Sequence, residues 1–351
     1  MDFIDLYAGI GGIRFAFENA LCNCVFSSEW NKYSQITYEV LHGEIPSGDI
    51  TNIDPHDIPD HDILTAGFPC QPFSLAGVSK KNSLGRLHGF EDPTQGTEFF
   101  KLKEILRIKQ PSAFLLENVK NLKSHDEKRT FKIIVEALEE LGYNINHKVI
   151  DSSYWVPQHR ERIYIVGIRR DLHSSQSLQN IFPEYPVTRL VELEDILETD
   201  EDIANKYEKD KFTVTKGTWE ALKNHKAHHK AKGNGFGFDV IKRPFTNKIT
   251  RTLSARYYKD GAEILIDQGP RRRPRRLTPL EVFRLQGFPA QFQHLFETLE
   301  NLPVSNLQVY KQFGNSVSVP VVSAIALNLV DLLEQINNQQ NQNHTVLQLT
   351  A

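Results

Sequence analysis

The apolar run Ile63-Leu64-Thr65-Ala66 leads directly into Gly67-Phe68-Pro69-Cys70-Gln71-Pro72-Phe73-Ser74, and this junction constrains the chain more than any other stretch. A short apolar run closed by glycine reads as a buried strand. Gly67 permits unusual backbone angles, while Pro69 and Pro72 remove backbone donors and fix φ on either side of Cys70-Gln71. A stiff loop at the carboxyl end of a strand is where open α/β sheets carry their chemistry. By itself, a free cysteine there is either a small buried hydrophobe or a reactive thiol.

The same pattern recurs along the chain. Phe3-Ile4-Asp5-Leu6-Tyr7 reads as a strand, and Gly9, Gly11 and Gly12 turn it tightly into a helix expected from about Ile13 to Ala20. The glycine spacing is not that of a dinucleotide fingerprint, and an ordinary turn explains it as well. Glu29 follows the apolar pair Val25-Phe26, where an acidic residue after a second strand can accept bonds from ribose hydroxyls. Asp49, between Gly48 and Ile50, is expected to repeat that logic at a third strand end. Two carboxylates and a glycine loop at successive strand ends describe a nucleoside pocket. Ala113-Phe114-Leu115-Leu116 is a further buried strand that delivers Glu117 and Asn118 to the same edge, Glu117 being either a cap or a working acid. Thr97 to Lys109 reads as a helix ending before Pro111, and a second helix is expected from about Glu127 to Leu141, closed by Gly142. Asn144 to Ile150 and Arg162 to Ile168 read as two more strands, with Arg160 and Arg162 on one face. Such an arginine pair suits a structural salt bridge as well as a bound ligand.

A chain of 351 residues has room for a full catalytic domain and a smaller second one. No apolar run approaches membrane-spanning length, and the N-terminus enters a strand without a basic segment or cleavage site, so no membrane partner and a cytoplasmic home are expected. The three cysteines fit neither a disulfide framework nor zinc spacing; Cys22 and Cys24 read as packing residues. His225, His228 and His229 lack accompanying Cys or paired carboxylates, so they read as part of a solvated helix and no metal is expected. The net charge of -3 does not advertise nucleic-acid binding, yet Arg271, Arg272, Arg273, Arg275 and Arg276 cluster, and local patches meet phosphates. Leu75 to Gln95 is a long polar loop in which Lys80, Lys81 and Arg86 suit phosphates or simply solvent. Thr252 to Ile266 reads as a hairpin with Asp260-Gly261 as its turn. A final apolar helix is expected from about Pro320 to Ile336, and the Gln/Asn-rich tail after Asn337 is expected to fray.

Eight blocks then fall in a telling order. They are Asp5-Leu6-Tyr7-Ala8-Gly9-Ile10-Gly11-Gly12, Glu29-Trp30, Gly48-Asp49-Ile50, the Cys70 loop, Glu117-Asn118-Val119, Gln158-His159-Arg160-Glu161-Arg162, Arg276-Leu277-Thr278 through Leu285-Gln286-Gly287-Phe288-Pro289, and Gln312-Phe313-Gly314-Asn315-Ser316. Over nearly its whole length the chain resembles the DNA cytosine-5 methyltransferases of the bacterial type II restriction-modification kind. A lone Pro-Cys would be weak evidence, whereas eight ordered blocks are highly specific. The resemblance implies an α/β fold, a Rossmann-like S-adenosylmethionine-dependent methyltransferase sheet with helices on both faces, plus a smaller, irregular target-recognition domain. It implies a catalytic, cofactor-binding domain at 1–188 and 311–337, a target-recognition domain with its scaffold block at 189–310, and a polar tail at 338–351.

The resemblance also implies roles for single residues. Cys70 is expected as the nucleophile and Glu117 as the acid, with Arg160 and Arg162 by the target base. Tyr7, Gly9, Ile10, Gly12, Glu29, Trp30, Asp49, Ile50, Pro69, Asn315 and Ser316 are expected to hold S-adenosyl-L-methionine, Trp30 near the adenine and Asp49 at its amino group. Glu98 departs from the pattern, standing where the family usually has an apolar residue. Gln71, Ser74, Arg256, Lys259 and Arg272 are expected to contact double-stranded DNA, with specificity read between about Arg189 and Arg273. A monomer in the bacterial cytoplasm or nucleoid is expected, sharing its site with a cognate restriction endonuclease without a stable complex. A cytosine-5 RNA methyltransferase on the same scaffold would carry a Cys-Phe-Thr signature in its recognition region, but no cysteine follows Cys70. A catalytically dead DNA-binding module is opposed by the intact set of Cys70, Glu117, Arg160 and Arg162.

Overall fold

The computed structural model describes residues 1–69, 97–172, 175–233, 238–297 and 301–349. Six strands form one sheet: β1 (Asp2–Leu6), β2 (Asn23–Ser28), β3 (Ile63–Ala66), β4 (Ala113–Val119), β5 (Tyr143–Asp151) and β6 (Glu161–Arg169), in the order β2-β1-β3-β4-β6-β5. The first four run parallel, and β6 lies antiparallel between β4 and β5. Alternation along the strands divides their side chains between two faces. Phe3, Ile63, Ala113 and Leu115 join one core cluster, while Ile4, Leu6, Leu64, Ala66, Phe114 and Leu116 join the other. Helices cover both faces, which is why the strands read as unbroken apolar runs.

On the first face lie α1 (Gly12–Asn19), which supplies Ile13, Phe15, Ala16 and Phe17, and Leu41 of α2 (Lys32–His42). The other face is covered by α3 (Thr97–Lys109), through Phe99, Leu102, Ile105 and Leu106, and by α4 (Arg129–Glu140), through Phe131, Ile134 and Leu138. The strand order reverses between β1 and β3, so the crevice at their carboxyl ends is the place where this kind of sheet binds ligands.

The second region contains two short helices, α5 (Leu193–Ile196) and α6 (Asp200–Lys206), and the longer α7 (Lys216–Ala231). A two-residue parallel pair follows, β7 (Val240–Ile241) with β8 (Leu265–Ile266), and then α8 (Pro279–Leu285) and α9 (Asn306–Asn315). Its apolar residues Leu193, Leu253, Phe283 and Phe313 belong to the same cluster as the first face of the sheet. The last helix, α10 (Val319–Leu349), returns to the sheet, burying Val322, Ile325, Ala326 and Leu329 in that cluster.

Four expectations need correction. The segment from Thr252 to Ile266 is not a hairpin: Leu265–Ile266 pairs with Val240–Ile241 instead, and residues 255–260 form consecutive turns. Tyr257 decides this, because its ring is wholly buried and its hydroxyl donates to Ile264 O at 2.7 Å and accepts from Leu277 N–H at 2.8 Å. Asp49 does not end a strand but caps the 3-10 turn Ile50–Asn52. The helix expected from Glu127 starts at Arg129, since Asp126, Glu127 and Lys128 all have positive φ. The polar tail does not fray at Asn337, because α10 continues to Leu349: glutamine is a good helix former and extends a helix already nucleated in the core.

Candidate active site at the carboxyl edge of the sheet

The chain leaves β1 through Tyr7, Gly9 and Gly11, all at positive φ. A Cβ on Gly11 would fall 2.0 Å from His42 Nε2, and one on Gly12 would fall 2.9 Å from Ser316 Oγ, so both positions need glycine for close approach. A Cβ on Gly9 would meet nothing within 4 Å, which marks open space over the loop. Glu29, at the end of β2, is buried and faces that loop: Oε2 accepts the Gly9 N–H at 2.9 Å and Oε1 the Asn31 N–H at 2.7 Å. Burial raises its pKa, and the backbone donors pull it back down. With Asn31, Gly9 and Trp30 as backbone donors, the carboxylate still keeps a lone pair for a hydroxyl. Trp30 leaves 69% of its surface exposed, and the exposed carboxylate of Asp49 is held through Oδ1 by Thr51. An open ring face, two carboxylates with spare acceptor capacity and a glycine loop fit a nucleoside. Ile10 and Ile50 are buried beside this cradle, and the Tyr7 hydroxyl donates to the Glu98 carbonyl at 3.0 Å. Glu98 thus meets Tyr7 through its backbone.

At the neighbouring strand ends, the Asn118 side chain donates to Phe68 O at 2.9 Å and so fixes the root of the cysteine loop to β4. Pro69 is exposed at the end of that root, whereas Cys70, Gln71 and Ser74, like Lys80, Lys81 and Arg86, lie outside the described residues. Glu117 stands across from this root, its Oε2 lying 3.7 Å from where a Gly67 Cβ would be. It is 8% exposed, and Arg162 Nε lies 3.1 Å from its Oε1. The two are diagonal neighbours, since Val119 pairs with Arg162 across β4 and β6. Burial raises the Glu117 pKa, against the opposing pull of Arg162 and then Arg160. A carboxyl held toward its acid form beside a cysteine loop can deliver a proton to a bound base.

The structure separates the two arginines that the sequence pairs. Arg160 is buried at 2% exposure and donates to Leu253 O at 3.0 Å, to Gly314 O at 3.1 Å and to Ser316 O. Its Nη atoms are therefore spent on backbone carbonyls, whereas Arg162 keeps its Nε on Glu117. Burial, followed by repulsion from Arg162, lowers the Arg160 pKa to about 9. Two more buried residues were not singled out from the sequence. Gln158 Oε1 accepts the Leu253 N–H at 2.8 Å, and Asp5 lies fully buried in β1, where Thr65 Oγ1 donates to it at 3.1 Å. Burial pushes the Asp5 pKa up to about 7. A carboxylate inside an apolar run was the available signal for Asp5.

The family model for C-5 cytosine-specific DNA methylases matches residues 1–331. The chain belongs to that family. It is 44% identical to the DNA-cytosine methyltransferase of Escherichia coli (strain K12), over 95% of this chain and 78% of that protein. It is 46% identical to the Type II methyltransferase M.NlaX of Neisseria lactamica, over 96% of this chain and 98% of the relative. Among solved structures it resembles the S. pombe Dnmt2 methyltransferase, with a TM-score of 0.70 at 21% identity over 96% of this chain and 99% of that one. The last likeness concerns the fold, which is the expected α/β methyltransferase sheet.

Elsewhere in this cytosine methyltransferase, Arg256 and Lys259 stand exposed on the turns that follow Ser254, and Asn315 is exposed at the end of α9. The arginine run is not one uniform patch. Arg272 is exposed but paired with Asp210 at 2.6 Å, Arg273 donates to Val214 O at 2.7 Å, and Arg276 donates to Tyr258 O at 3.2 Å. Arg275 is buried, with two 2.8 Å bonds to Glu281. A groove of about 700 Å³ lies between α7 and this run, lined by Trp219, Lys223, Lys226, Lys242, Arg271 and Arg272 among others. It is a surface groove away from the sheet edge, whereas open α/β sheets bind their ligands at the strand ends. No group of three or more His, Cys, Asp or Glu able to hold a metal occurs among the described residues.

Proposed function

We propose that this methyltransferase moves the methyl group of S-adenosylmethionine to C5 of a cytosine turned out of double-stranded DNA, through a transient bond between Cys70 and C6. The observation that carries the reading is Glu117, buried at the root of the Cys70 loop with a raised pKa and one arginine at its side. Cytosine C5 is too weak a nucleophile by itself. Addition of the Cys70 thiolate to C6 makes the ring enamine-like, and the Glu117 proton moves to N3 as negative charge develops there. When bound, S-adenosylmethionine supplies an electrophilic methyl group. Transfer of the C5 proton to a water molecule then breaks the C6–Sγ bond, expels Cys70 as the thiolate and restores the aromatic ring, and N3 returns its proton to Glu117. An ordinary thiol, with a pKa of about 8.5, is only a few per cent ionised at neutral pH, so the positive field of Arg162 assists Cys70.

The cofactor is held by the cradle of Tyr7, Gly9, Ile10, Gly12, Glu29, Trp30, Asp49 and Ile50, with Pro69, Asn315 and Ser316 at its rim. Reaching C6 in a duplex requires flipping the base out, at a cost of a few kcal/mol that contacts from Gln71 and Ser74 help to offset. Residues 1–188 and 311–337 carry out the transfer, and residues 189–310 read the target through Arg256 and Lys259, with Arg272 on phosphate. The chain acts as a monomer in the bacterial cytoplasm or nucleoid, protecting sites that a cognate endonuclease would cut; the Type II names of its relatives support this.

The test is Cys70→Ser. It should abolish methylation of plasmid DNA and the covalent adduct with 5-fluorocytosine DNA while S-adenosylhomocysteine still binds. Methylation by the variant would overturn the mechanism.

A further inference from the structure

We propose that Arg160 is a positioning residue that locks the recognition turn bearing Arg256 to the strap over the cofactor loop, so that cofactor and DNA each strengthen binding of the other. The inference rests on the reading that the chain takes both ligands. Its basis is the set of carbonyls that Arg160 holds. Leu253 O opens the turn on which Arg256 and Lys259 stand, Gly314 O lies in the last turn of α9, and Ser316 O begins the strap from α9 to α10. These partners lie 93, 154 and 156 residues away in sequence, so one guanidinium joins the recognition turn and the 314–316 stretch to the start of β6, beside the Gln158 bond to Leu253 and the backbone bonds of Pro157 and His159 with Thr250 that hold the approach to that turn.

The contacts on either side of Arg160 continue the link. A Cβ on Gly314 would fall 2.3 Å from Ser254 O and 2.5 Å from Ala255 N, so the end of α9, where the strap begins, lies backbone against backbone on the recognition turn. On the far side, Ser316 Oγ lies 2.9 Å from the Cβ position of Gly12, in the glycine loop that frames the cofactor cradle. Cradle, strap and recognition turn are therefore contiguous, with Arg160 at the junction. A buried cation with no carboxylate bonded to it is expensive, and in place of one Arg160 has carbonyls that only the assembled strap and turn provide. Its fork of donors suits this geometry, and a lysine would keep the charge but not span the three carbonyls.

The test measures binding rather than turnover. Calorimetry would give the Kd of S-adenosylhomocysteine and of a duplex carrying the methylated site, each alone and each with the other saturating. The wild type should show mutual enhancement of about fivefold or more, equal in both directions. In Arg160→Lys that ratio should fall to near one, while each ligand alone binds within a few-fold of wild type. A folded Arg160→Lys protein that keeps the ratio, or a wild type that shows none, overturns the proposal. Hydrogen exchange of the wild type gives an answer even if the variant does not fold. S-adenosylhomocysteine alone should slow amide exchange at residues 253–261, and unchanged exchange there also refutes the link. If the wild type bound neither ligand, the function proposed above would fail instead.

Discussion

Two buried Arg–Glu pairs in this protein behave in opposite ways. In the scaffold of the second region, all four acceptor sites of Glu281 are filled: Oε1 by Arg275 and the Glu198 N–H, Oε2 by Arg275 and the Thr278 N–H, at 2.8 to 2.9 Å. At the sheet edge, Glu117 has one arginine contact at 3.1 Å, and no described group donates to its Oε2. Burial lowers the Arg275 pKa, but the neighbouring Glu281 outweighs it and keeps that arginine charged, whereas burial dominates at Glu117 and favours the neutral acid. The same two residue types therefore make a structural clamp in one place and, in the other, a buried carboxyl held toward its acid form, the one proposed above as the proton source. What differs is how many of the carboxylate's lone pairs the fold has already filled.

That contrast is broken most directly at Glu117. Glu117→Gln should lower the single-turnover methylation rate by ~10² to 10⁴, as removal of a positioned acid typically does, with little change in unfolding midpoint. An unaltered rate would assign the acid role elsewhere. Arg275→Ala should do the reverse, costing about 3–5 kcal/mol of stability in urea unfolding because it leaves a buried carboxylate uncompensated. If its midpoint barely moved, the clamp would be as loosely held as the Glu117–Arg162 pair.

Asp5 falls between the two extremes, with Oδ1 bonded to Thr65 and Oδ2 buried without a partner. Its folded pKa of about 7 exceeds the model-compound value of 3.8, so the folded state binds the proton more tightly. Its contribution to stability is fully present below pH 3.8 and is lost as pH rises to about 7. Asp5→Asn should flatten that slope, so that its melting temperature gains on wild type at pH 8 relative to pH 5. A parallel pH dependence in both proteins would show that Asp5 is ionised in the fold. The smallest effect is expected at Arg256, which is exposed and has no side-chain partner among the described residues. Methylome sequencing of Arg256→Ala should show relaxed choice at one base, worth ~1–3 kcal/mol. An unaltered motif with uniformly lower occupancy and a flatter salt dependence would make it a phosphate contact instead.

Much of this molecule is written locally. The runs at Phe3, Ile63 and Ala113 specify buried strands, Lys109 ends its helix before Pro111, and the glycines after Tyr7 mark a loop, because alternation, turn chemistry and capping act over a few residues. The order of the eight blocks identified the family from the sequence alone, and the comparisons agree. Local patterns failed where partners are distant. Asp260-Gly261 has the signature of a hairpin turn, yet burial of Tyr257 against Ile264 and Leu277 overrides it. Arg271 to Arg276 reads as one basic patch, yet Glu281, Val214 and Tyr258 take three of its members into the structure. Arg160 and Arg162 sit two residues apart at the start of one strand, with the same side chain and the same expected face. Only tertiary packing made one a tie between distant carbonyls and the other the neighbour of Glu117, because a side chain's hydrogen-bond partners are set by which segments the fold brings alongside it.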